Sequence, residues 1–422
     1  MNDIQQLFLG GVVAEPKMGD KLSPYEAMRL AIAEAWRGAG HVSPNPQVGC
    51  VILSANDQFL AKGYHHGVGG PHAEIEALAD LFDVEAFKRD DKGWRIEGPA
   101  VKEGAVDARQ ELKGAKIYVT LEPCAHEGRT PSCAKTLAKL PVQELVYGLE
   151  DPNPLVAGKG IQVLKDAKIR CREFREVSPE RDLRVELREV CEVFLKNYSE
   201  KRPFVALKVA TSLDAVFGLR SGESQWITNE RSREFGHFFR GFYDAMLVGR
   251  GTIEKDNPAL NIRHPHFKGV RKKIVVVDSK GKLLEQPDLK IFRAHAPENL
   301  IWAVNENFRG HVPDDIRLIR IPSDSRGLDL YELHQQIWNQ GIRSLYIEGG
   351  GKTLSAHLRA GSADRLLMFQ APIILGGQNG RVWTENFGVE RLADQIRLSA
   401  THRLDLEGDQ LITGRLIYDI DR

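Results

Sequence analysis

The chain carries EPCAHEGRTPSC at residues 122–133 and PHAE at residues 71–74, and its predicted fold and chemistry follow from these two stretches. Together they supply three soft or borderline metal ligands and one nearby carboxylate: His72, Cys124, Cys133 and Glu74. A catalytic zinc is usually held by three protein ligands and keeps a fourth position open, whereas a structural zinc usually has four. A carboxylate beside such a site, but outside the ligand set, can move protons for the zinc-bound water. The pattern therefore predicts a catalytic zinc site.

The order of these residues is typical of zinc deaminases, whose signature is His-x-Glu followed by Pro-Cys-x-x-Cys. In this chain eight residues separate the two cysteines. Any one of the three ligands, taken alone, is more often a packed core thiol or an ordinary histidine. As a set they fall at two predicted strand-to-helix junctions, which α/β folds bring to one end of the sheet. We therefore predict a hydrolytic deaminase.

The composition is that of an ordinary globular protein, with 422 residues, 42% hydrophobic and 27% charged. This length suffices for two or three domains, each with its own core. The formal net charge is +0, so nothing in the composition predicts electrostatic capture of nucleic acid. We therefore expect a small-molecule substrate and no nucleic-acid partner.

The cysteines and the N-terminus indicate a cytoplasmic protein. The five cysteines are odd in number and lack the spacing of a disulfide framework, which suits free thiols or metal ligation in a reducing compartment. The apolar run at residues 7–14 faintly resembles a signal peptide, but no Lys or Arg precedes it. No run of the sequence is long enough to span a bilayer, so we expect no membrane partner.

Predicted strands alternate with predicted helices along the chain, which indicates a mostly parallel α/β architecture. Ser23-Pro24-Tyr25-Glu26 predicts a capped helix start. A helix at roughly residues 180–198 is expected to link two domains. The predicted divisions are a poorly ordered tail or edge segment at 1–20, a zinc deaminase domain at 21–170 with a surface insertion at about 81–115, a connecting segment at 171–201, and a second α/β domain at 202–422.

Two glycine-rich segments in the second half resemble nucleotide-binding motifs without matching them. VGRGTIE at residues 248–254 lacks the third glycine of a dinucleotide fingerprint, because Glu254 stands there. EGGGKT at residues 348–353 ends like a P-loop, but Tyr346 occupies the position of the first glycine. Each segment is either a plain tight turn or a turn whose N–H groups meet a phosphate at a helix start.

Longer stretches of both halves resemble the bifunctional riboflavin-biosynthesis deaminase/reductase family. The deaminase-like segments are SPNPQVGCVIL (43–53), PHAEIEAL (71–78) and TLEPCAHEGRTPSC (120–133). The reductase-like segments are LKVATSLD (207–214), SGESQWIT (221–228) and DAMLVGRGTIEKDNPALNIR (244–263). The resemblance implies an α/β fold of two domains, an N-terminal cytidine-deaminase-like α/β/α sandwich and a C-terminal dihydrofolate-reductase-like α/β domain.

This resemblance also implies a reaction sequence, two cofactors and an assembly. A zinc-dependent step would hydrolyse the 2-amino group of 2,5-diamino-6-(ribosylamino)pyrimidinone 5′-phosphate. An NADPH-dependent step would then reduce its ribosyl side chain to ribityl. The small-molecule partner would be this pyrimidine ribosyl phosphate, and the chains would associate as a homo-oligomer through the reductase domain.

The resemblance further implies roles for individual residues. In the deaminase half Glu74 would be catalytic, and the substrate would contact Asn45, His126 and Arg129. In the reductase half the substrate would contact Ser224, Arg240, Asp256, Leu260, Arg263 and Glu348. The NADPH side would be formed by Ala210, Trp226, Thr252, Gly349, Gly350 and Gly351.

The chain departs from the family pattern in one loop and leaves other functions open. After Asp214 the family has Gly and a basic residue, whereas this chain has Ala215, Val216 and Phe217. Alanine could block a positive φ, and a phosphate partner would be lost unless Arg220 replaces it.

The alternative functions left open are an active deaminase with an impaired or altered reductase, a zinc-stabilised scaffolding protein, and a nucleic-acid deaminase.

Overall fold

The computed structural model describes residues 1–82, 87–90, 93–96, 108–126, 132–153, 156–385 and 389–418. These residues form two compact units, Met1–Glu200 and Lys201–Arg422. In the described part of the chain, every helix is too short or too polar to traverse a lipid bilayer.

The first unit mixes strands and helices in the alternating order expected. Its strands are β1 (Gly49–Leu53), β2 (Phe59–Tyr64), β3 (Phe87–Asp90), β4 (Gly93–Ile96), β5 (Lys116–Leu121), β6 (Glu144–Leu149) and β7 (Arg170–Glu173). Its helices are α1 (Asn2–Leu9), α2 (Pro24–Arg37), α3 (Ala73–Phe82), α4 (Ala108–Glu111), α5 (Cys133–Leu137), α6 (Lys159–Asp166), α7 (Phe174–Val177), α8 (Arg184–Val190) and α9 (Glu192–Glu200).

A five-stranded sheet in the order β2-β1-β5-β6-β7 forms the centre of the first unit, and β3 and β4 form a separate hairpin. Strand β1 is antiparallel to β2 and β5, while β5, β6 and β7 are parallel. The carboxyl end of β5 therefore leads into Glu122–Cys124, and α5 returns with Cys133 as its first residue.

Helices α2 and α3 cover opposite faces of this sheet, because successive side chains of a strand point to opposite sides. Gly49 of β1 faces α2, and a Cβ there would lie 1.9 Å from the Ala31 carbonyl oxygen. Its neighbour Cys50 lies in the apolar cluster with Ala73 and Ala77 of α3. The first unit is thus the sandwich predicted.

The expectation of a poorly ordered tail at residues 1–20 is wrong for its first half. Helix α1 buries Ile4 and Leu7, and Phe8 stacks on Trp36 with 4.6 Å between ring centroids. The apolar residues recur at helical spacing, so one side of α1 packs on α2. The sequence obscured this helix because it is one of only eight residues and Met1 provides no side-chain cap.

The segment at 171–201, expected to connect two domains, is part of the first unit. Strand β7 pairs in parallel with β6 and completes the sheet edge. The single helix expected at 180–198 is divided into α8 and α9 at Cys191, which leaves helical geometry at φ −108° and ψ 8°. Leu187 and Val190 are buried, so this segment is anchored by its apolar face. About half of the insertion at 81–115 lies outside the described residues.

The second unit, Lys201–Arg422, has a larger sheet. Its strands are β8 (Phe204–Thr211), β9 (Val216–Leu219), β10 (Ala245–Gly249), β11 (Lys273–Val277), β12 (Leu300–Asn305), β13 (Arg317–Ile321), β14 (Ser323–Asp324), β15 (Gly327–Leu328), β16 (Ser344–Glu348), β17 (Arg365–Gln370), β18 (Gly380–Val382), β19 (Arg397–Leu406) and β20 (Asp409–Ile417). Its helices are α10 (Glu230–Phe242), α11 (Arg250–Asp256), α12 (Lys290–Ala294), α13 (Leu330–Asn339) and α14 (Gly351–Arg359).

The nine-stranded sheet runs β13-β12-β11-β10-β16-β8-β17-β20-β19. Neighbouring strands from β13 to β17 are parallel, and β20 and β19 add two antiparallel strands at one edge. A second, two-stranded ribbon pairs β9 with β18. The carboxyl ends of the parallel strands lie at one edge of the sheet, where α/β proteins place their ligands.

Candidate active sites

The three predicted zinc ligands meet in the first unit. The His72 Nδ1 atom lies 3.5 Å from the Cys124 Sγ atom and 3.4 Å from the Cys133 Sγ atom. All three ligand atoms lie within 4.8 Å of one another, and no second cluster of three or more such ligands occurs in the described residues. Zinc bonds of about 2.3 Å to sulfur and 2.0–2.1 Å to nitrogen in tetrahedral geometry set N and S about 3.6 Å apart. The donor set therefore fits zinc.

Local structure fixes each ligand. His72 directly precedes α3, and Cys133 begins α5. Ser132 caps α5 by accepting the Lys135 N–H at 3.2 Å, and its hydroxyl donates to the Cys124 carbonyl oxygen at 2.8 Å. One serine thus ties the strand end that carries Cys124 to the helix that carries Cys133.

The electrostatics of this site favour a thiolate beside a buried carboxyl group. Hydrogen bonding from Cys133, together with His72, lowers the pKa of Cys124 to about 4. Hydrogen bonding to Cys124 and burial raise the pKa of Cys133. Glu74 is only 3% exposed, and burial raises its pKa. A readily ionised thiol is the form that binds metal, and a buried carboxyl group that holds a proton can act in acid–base chemistry.

A histidine that the sequence did not single out holds Asn45, one of the predicted substrate contacts. The ring of His65 is buried, and its Nδ1 lies 2.8 Å from the Pro71 carbonyl oxygen. A carbonyl can only accept, so Nδ1 carries the proton and Nε2 accepts from the Asn45 amide at 3.1 Å. Burial lowers the pKa of His65 to about 4, so the ring stays neutral. The paired histidines after a predicted strand were the available signal.

Glu122 is a second residue that sequence reasoning left without a role. Its carboxylate accepts backbone N–H groups from Asp151, Gly158, Gly160 and Ile161 at 3.0–3.4 Å. This pins the segment leading into α6 against the strand end that carries the ligands. His126 is exposed, and it lies close enough to Asp151 to act on the pKa of that carboxyl group, which burial raises. Arg129 lies outside the described residues.

In the second unit, three of the predicted substrate contacts line one pocket: Arg240, Arg263 and Glu348. Arg240 forms a two-pronged ion pair with Glu348, with Nη2–Oε2 at 2.8 Å and Nε–Oε1 at 2.5 Å. Burial acts to raise the pKa of Glu348, but Arg240 overcomes it and holds that pKa at about 2. The pair therefore stays charged near neutral pH.

The remaining predicted substrate contacts lie outside that pocket lining. The Ser224 hydroxyl is 3.4 Å from the Asp256 carboxylate, and Leu260 is buried with φ 51°. The pocket instead includes Lys208 and His237, which sequence reasoning missed. Burial lowers the pKa of Lys208, which lies near Glu348. A lysine in an otherwise apolar strand was the signal for it.

The predicted cofactor residues lie in strand β8, in helix α11, in the turn after β16 and in the loop before α10. Gly350 donates its N–H to the Thr252 hydroxyl at 3.1 Å, which joins the turn after β16 to the start of α11. A Cβ at Gly349 would lie 2.9 Å from the Thr353 Cβ, so that glycine is required for packing in a tight turn. Trp226 is 67% exposed beneath the Arg233 guanidinium and lines the same pocket as Arg240. Ala210 pairs with Phe369 across β8 and β17.

The loop that departs from the family pattern keeps its turn. Ala215 has φ 60°, so this position does need the left-handed conformation that glycine tolerates best. The Arg381 guanidinium, from the paired strand β18, lies 5.3 Å from the centroid of the Phe217 ring. A cation thus stands beside this loop, although it comes from another part of the sequence than Arg220.

Comparison with known proteins assigns both units. Residues 23–149 match the cytidine and deoxycytidylate deaminase zinc-binding region, and residues 203–408 match the RibD C-terminal domain. The riboflavin biosynthesis protein RibD of Actinobacillus pleuropneumoniae is 32% identical over 94% of this chain and 95% of its own length. The chain belongs to the RibD family of riboflavin biosynthesis proteins. The RibD protein of Escherichia coli strain K12 is also 32% identical, over 88% of this chain and 92% of its own.

Solved RibD structures have the same fold over nearly the whole chain. An Acinetobacter baumannii RibD structure is 33% identical with a TM-score of 0.73, and covers 94% of this chain and 98% of its own. A second structure is that of a Thermotoga maritima diaminohydroxyphosphoribosylaminopyrimidine deaminase/5-amino-6-(5-phosphoribosylamino)uracil reductase. It is 30% identical with a TM-score of 0.74, and the match covers 93% of this chain and 99% of its own. The predicted fold class is confirmed. The protein is a bifunctional RibD enzyme with a zinc deaminase domain and an NADPH-dependent reductase domain.

Proposed function

We propose that this chain catalyses two consecutive steps on 2,5-diamino-6-(ribosylamino)pyrimidinone 5′-phosphate. The first unit replaces the 2-amino group by a carbonyl oxygen, and the second reduces the ribosyl group to ribityl. The observation that carries this proposal is the presence of two clusters of candidate catalytic side chains in one RibD chain. The first is the ligand cluster with buried Glu74, and the second is the pocket with the Arg240–Glu348 pair.

In the deamination step, water adds to the ring carbon, the carbon–nitrogen bond breaks, and ammonia leaves. His72, Cys124 and Cys133 would hold the zinc, which would supply the Lewis acidity that ionises water near neutral pH. Glu74 takes one proton from the attacking water and passes it to the ring nitrogen, and then takes the second proton from the added hydroxyl and passes it to the departing amine. Its burial keeps bulk water from carrying this proton instead.

Substrate recognition in the first unit falls to residues around the ligand cluster. Asn45, with its amide oriented by His65, would read the edge of the pyrimidine. His126 and Arg129 follow Cys124 closely in the sequence and would contact the base and the phosphate. An arginine fork matches two phosphate oxygens at once.

In the reduction step, the bond between C1′ and the ring oxygen breaks and that oxygen takes a proton to become a hydroxyl. The C1′ carbon then accepts a hydride, while the adjoining nitrogen keeps its proton. Ala210, Trp226, Thr252 and the Gly349–Gly351 turn would hold NADPH, which would supply that hydride. The carboxylate of Glu348, fixed by Arg240, is placed to accept hydrogen bonds from ribose hydroxyls. Arg263 lines the same pocket and suits the 5′-phosphate.

The direct test is to incubate the purified protein with the diamino substrate and NADPH and to identify the product by mass spectrometry. We expect a product that is both deaminated and reduced. A deaminated product that is still ribosyl would establish the alternative of an impaired reductase, which the strained Ala215 loop favours. If protein with zinc bound gives no product, this substrate is ruled out.

The cytoplasmic location and the association through reductase domains stay predictions.

A further inference from the structure

His237 lies in the reductase pocket, and the reaction scheme above gives it no role. It precedes Arg240 by three residues on α10, so both side chains project from one face of that helix. The ring is 8% exposed and lines the pocket together with Arg240 and Arg263. A histidine between two arginines in a substrate pocket calls for a physical explanation.

The hydrogen bonds of His237 fix its tautomer. A guanidinium can only donate, so the Nε2 atom accepts from the Arg263 Nε at 3.2 Å and Nη2 at 3.0 Å. Two guanidinium N–H groups face Nε2, so the ring proton is assigned to Nδ1, where the Asn261 backbone acts to raise the pKa of the ring. The Arg263 backbone N–H also points at Nδ1, with 3.3 Å between the two nitrogens, and competes with that proton. Burial, with the charges of Arg240 and Arg263, lowers the pKa of His237 to about 4.

The two arginines of the pocket differ in how their charge is balanced. Arg240 gives two N–H groups to Glu348 and a third to the Asn261 carbonyl oxygen at 3.0 Å. Arg263 has no carboxylate within ion-pair distance in the part of the chain that the structure describes. Its guanidinium is oriented by a neutral ring. A carboxylate in that place would orient Arg263 equally well but would cancel the charge that an anionic ligand needs.

We propose that His237 is a positioning residue that holds the Arg263 guanidinium, with its charge uncompensated, for the 5′-phosphate of the reductase substrate. This inference rests on the proposed function. An arginine side chain carries roughly 2 kcal/mol of rotamer entropy, part of which is lost when it binds a ligand. Fixing the guanidinium before the phosphate arrives removes part of that cost from binding. The Asn261 backbone joins the two arginines, because its carbonyl oxygen accepts from Arg240 and it also acts on the ring of His237.

Two substitutions at this position separate positioning from folding. His237→Phe keeps the ring volume and removes the acceptor, while His237→Gln keeps an acceptor within reach of Arg263. Steady-state reduction is measured with the deaminated ribosyl phosphate and, separately, with its dephosphorylated form. For His237→Phe we expect the KM for the phosphorylated substrate to rise about tenfold, the size of one charge-assisted hydrogen bond. The kcat and the KM for NADPH should change less than about twofold, since His237 touches neither reacting atom in this scheme.

The controls decide what a change means. His237→Gln should restore most of the affinity, and the dephosphorylated substrate should bind wild type and His237→Phe alike. Deaminase turnover of the same chain reports whether the protein is intact. An unchanged KM in His237→Phe overturns the inference, and so does an equal loss with the dephosphorylated substrate, which would mean a merely structural role.

A measurement on the wild-type chain covers the case in which His237→Phe does not fold. In protein labelled with 15N-histidine, the ring of His237 should show the Nδ1–H tautomer with and without inorganic phosphate. The Nε2–H tautomer would refute the hydrogen bonding on which the inference depends. If wild type fails to reduce the substrate yet keeps this tautomer and binds inorganic phosphate, the proposed reaction is wrong and the positioning of Arg263 stands.

Discussion

Glu74→Gln should abolish deamination while leaving the protein folded and the metal in place. The substitution exchanges one carboxyl oxygen for an amide nitrogen, so it leaves no cavity at a side chain that is 3% exposed. Glu74 is not among the three ligands, so the cluster of His72, Cys124 and Cys133 is unchanged. The perturbation is therefore confined to the group that moves the proton.

The magnitude follows from the burial of this carboxylate. Positioned general acid–base groups contribute ~10²–10⁴-fold to rate. Bulk water has little access to Glu74 and cannot replace it, so we expect a loss near the upper end, ~10³–10⁴-fold in kcat. The KM should change little, because the base and phosphate contacts lie on other side chains.

The assay measures ammonia release from the diamino substrate, with zinc content determined on the same sample. Glu76→Gln is the matched control: it lies on the same helix two residues later, and its carboxylate is 3.9 Å from His66. That variant should keep deaminase activity within about twofold. If Glu74→Gln retained zinc and turned over within tenfold of wild type, the proton-transfer role would be wrong and a zinc-stabilised scaffold would become the better interpretation.

Three further changes test other parts of the fold. Phe8→Ala should destabilise the first unit by about 3 kcal/mol, because it removes a buried ring stacked on Trp36; a thermal midpoint equal to wild type would mean that α1 does not stabilise the unit. Burial lowers the pKa of His357 to about 4 against 6.5 unfolded, so its contribution to stability is complete above pH 6.5 and is lost as pH falls toward 4. His357→Gln should therefore flatten stability against pH in that window, measured by urea unfolding, and an unchanged slope contradicts this. Ala215→Gly should stabilise the second unit by up to ~1 kcal/mol. It relieves the strain of alanine in the left-handed conformation, about 1–2 kcal/mol, which exceeds the cost of the greater entropy of the unfolded glycine chain, about 0.5–1 kcal/mol. A urea midpoint lower than that of wild type would refute this.

The zinc site could be predicted because its chemistry is written in short segments. His72 with Glu74, and Cys124 with Cys133, are near neighbours in sequence at strand–helix junctions. Topology then brings the two segments together without any further information. His65 was missed because its importance depends on a hydrogen bond to a carbonyl oxygen six residues away.

The reductase pocket was less predictable, because its parts come from distant positions. The ion pair between Arg240 and Glu348 joins residues 108 apart. No local pattern marks such a pair, and these residues were singled out only through the family resemblance. His237 was missed for the same reason, since it has no distinctive sequence neighbourhood, whereas Lys208 was marked only by its place in an otherwise apolar strand.

The error over the connecting segment has a physical cause. Residues 171–201 are rich in charge, which favours an exposed linker, yet Leu187 and Val190 anchor α8 to the first unit. A few apolar residues at helical spacing outweigh many solvated charges, because the charged face needs no partner.

The departure after Asp214 bears on whether the reductase works. The turn is intact despite the alanine. The Ala215 N–H donates to the Ser212 carbonyl oxygen at 3.1 Å, and the Ser212 N–H donates to the Val216 carbonyl oxygen at 2.9 Å. Asp214 also accepts the Leu375 and Gly376 N–H groups at 3.1 and 2.7 Å, which holds the loop to the strand exit. These hydrogen bonds hold the loop against a strain of about 1–2 kcal/mol at Ala215, and they do not depend on the side chain at that position. Because the loop keeps its shape and the Arg240–Glu348 pocket is complete, we expect Ala215→Gly to change stability more than reductase turnover, and a large gain in turnover would instead identify this alanine as the cause of an impaired reductase.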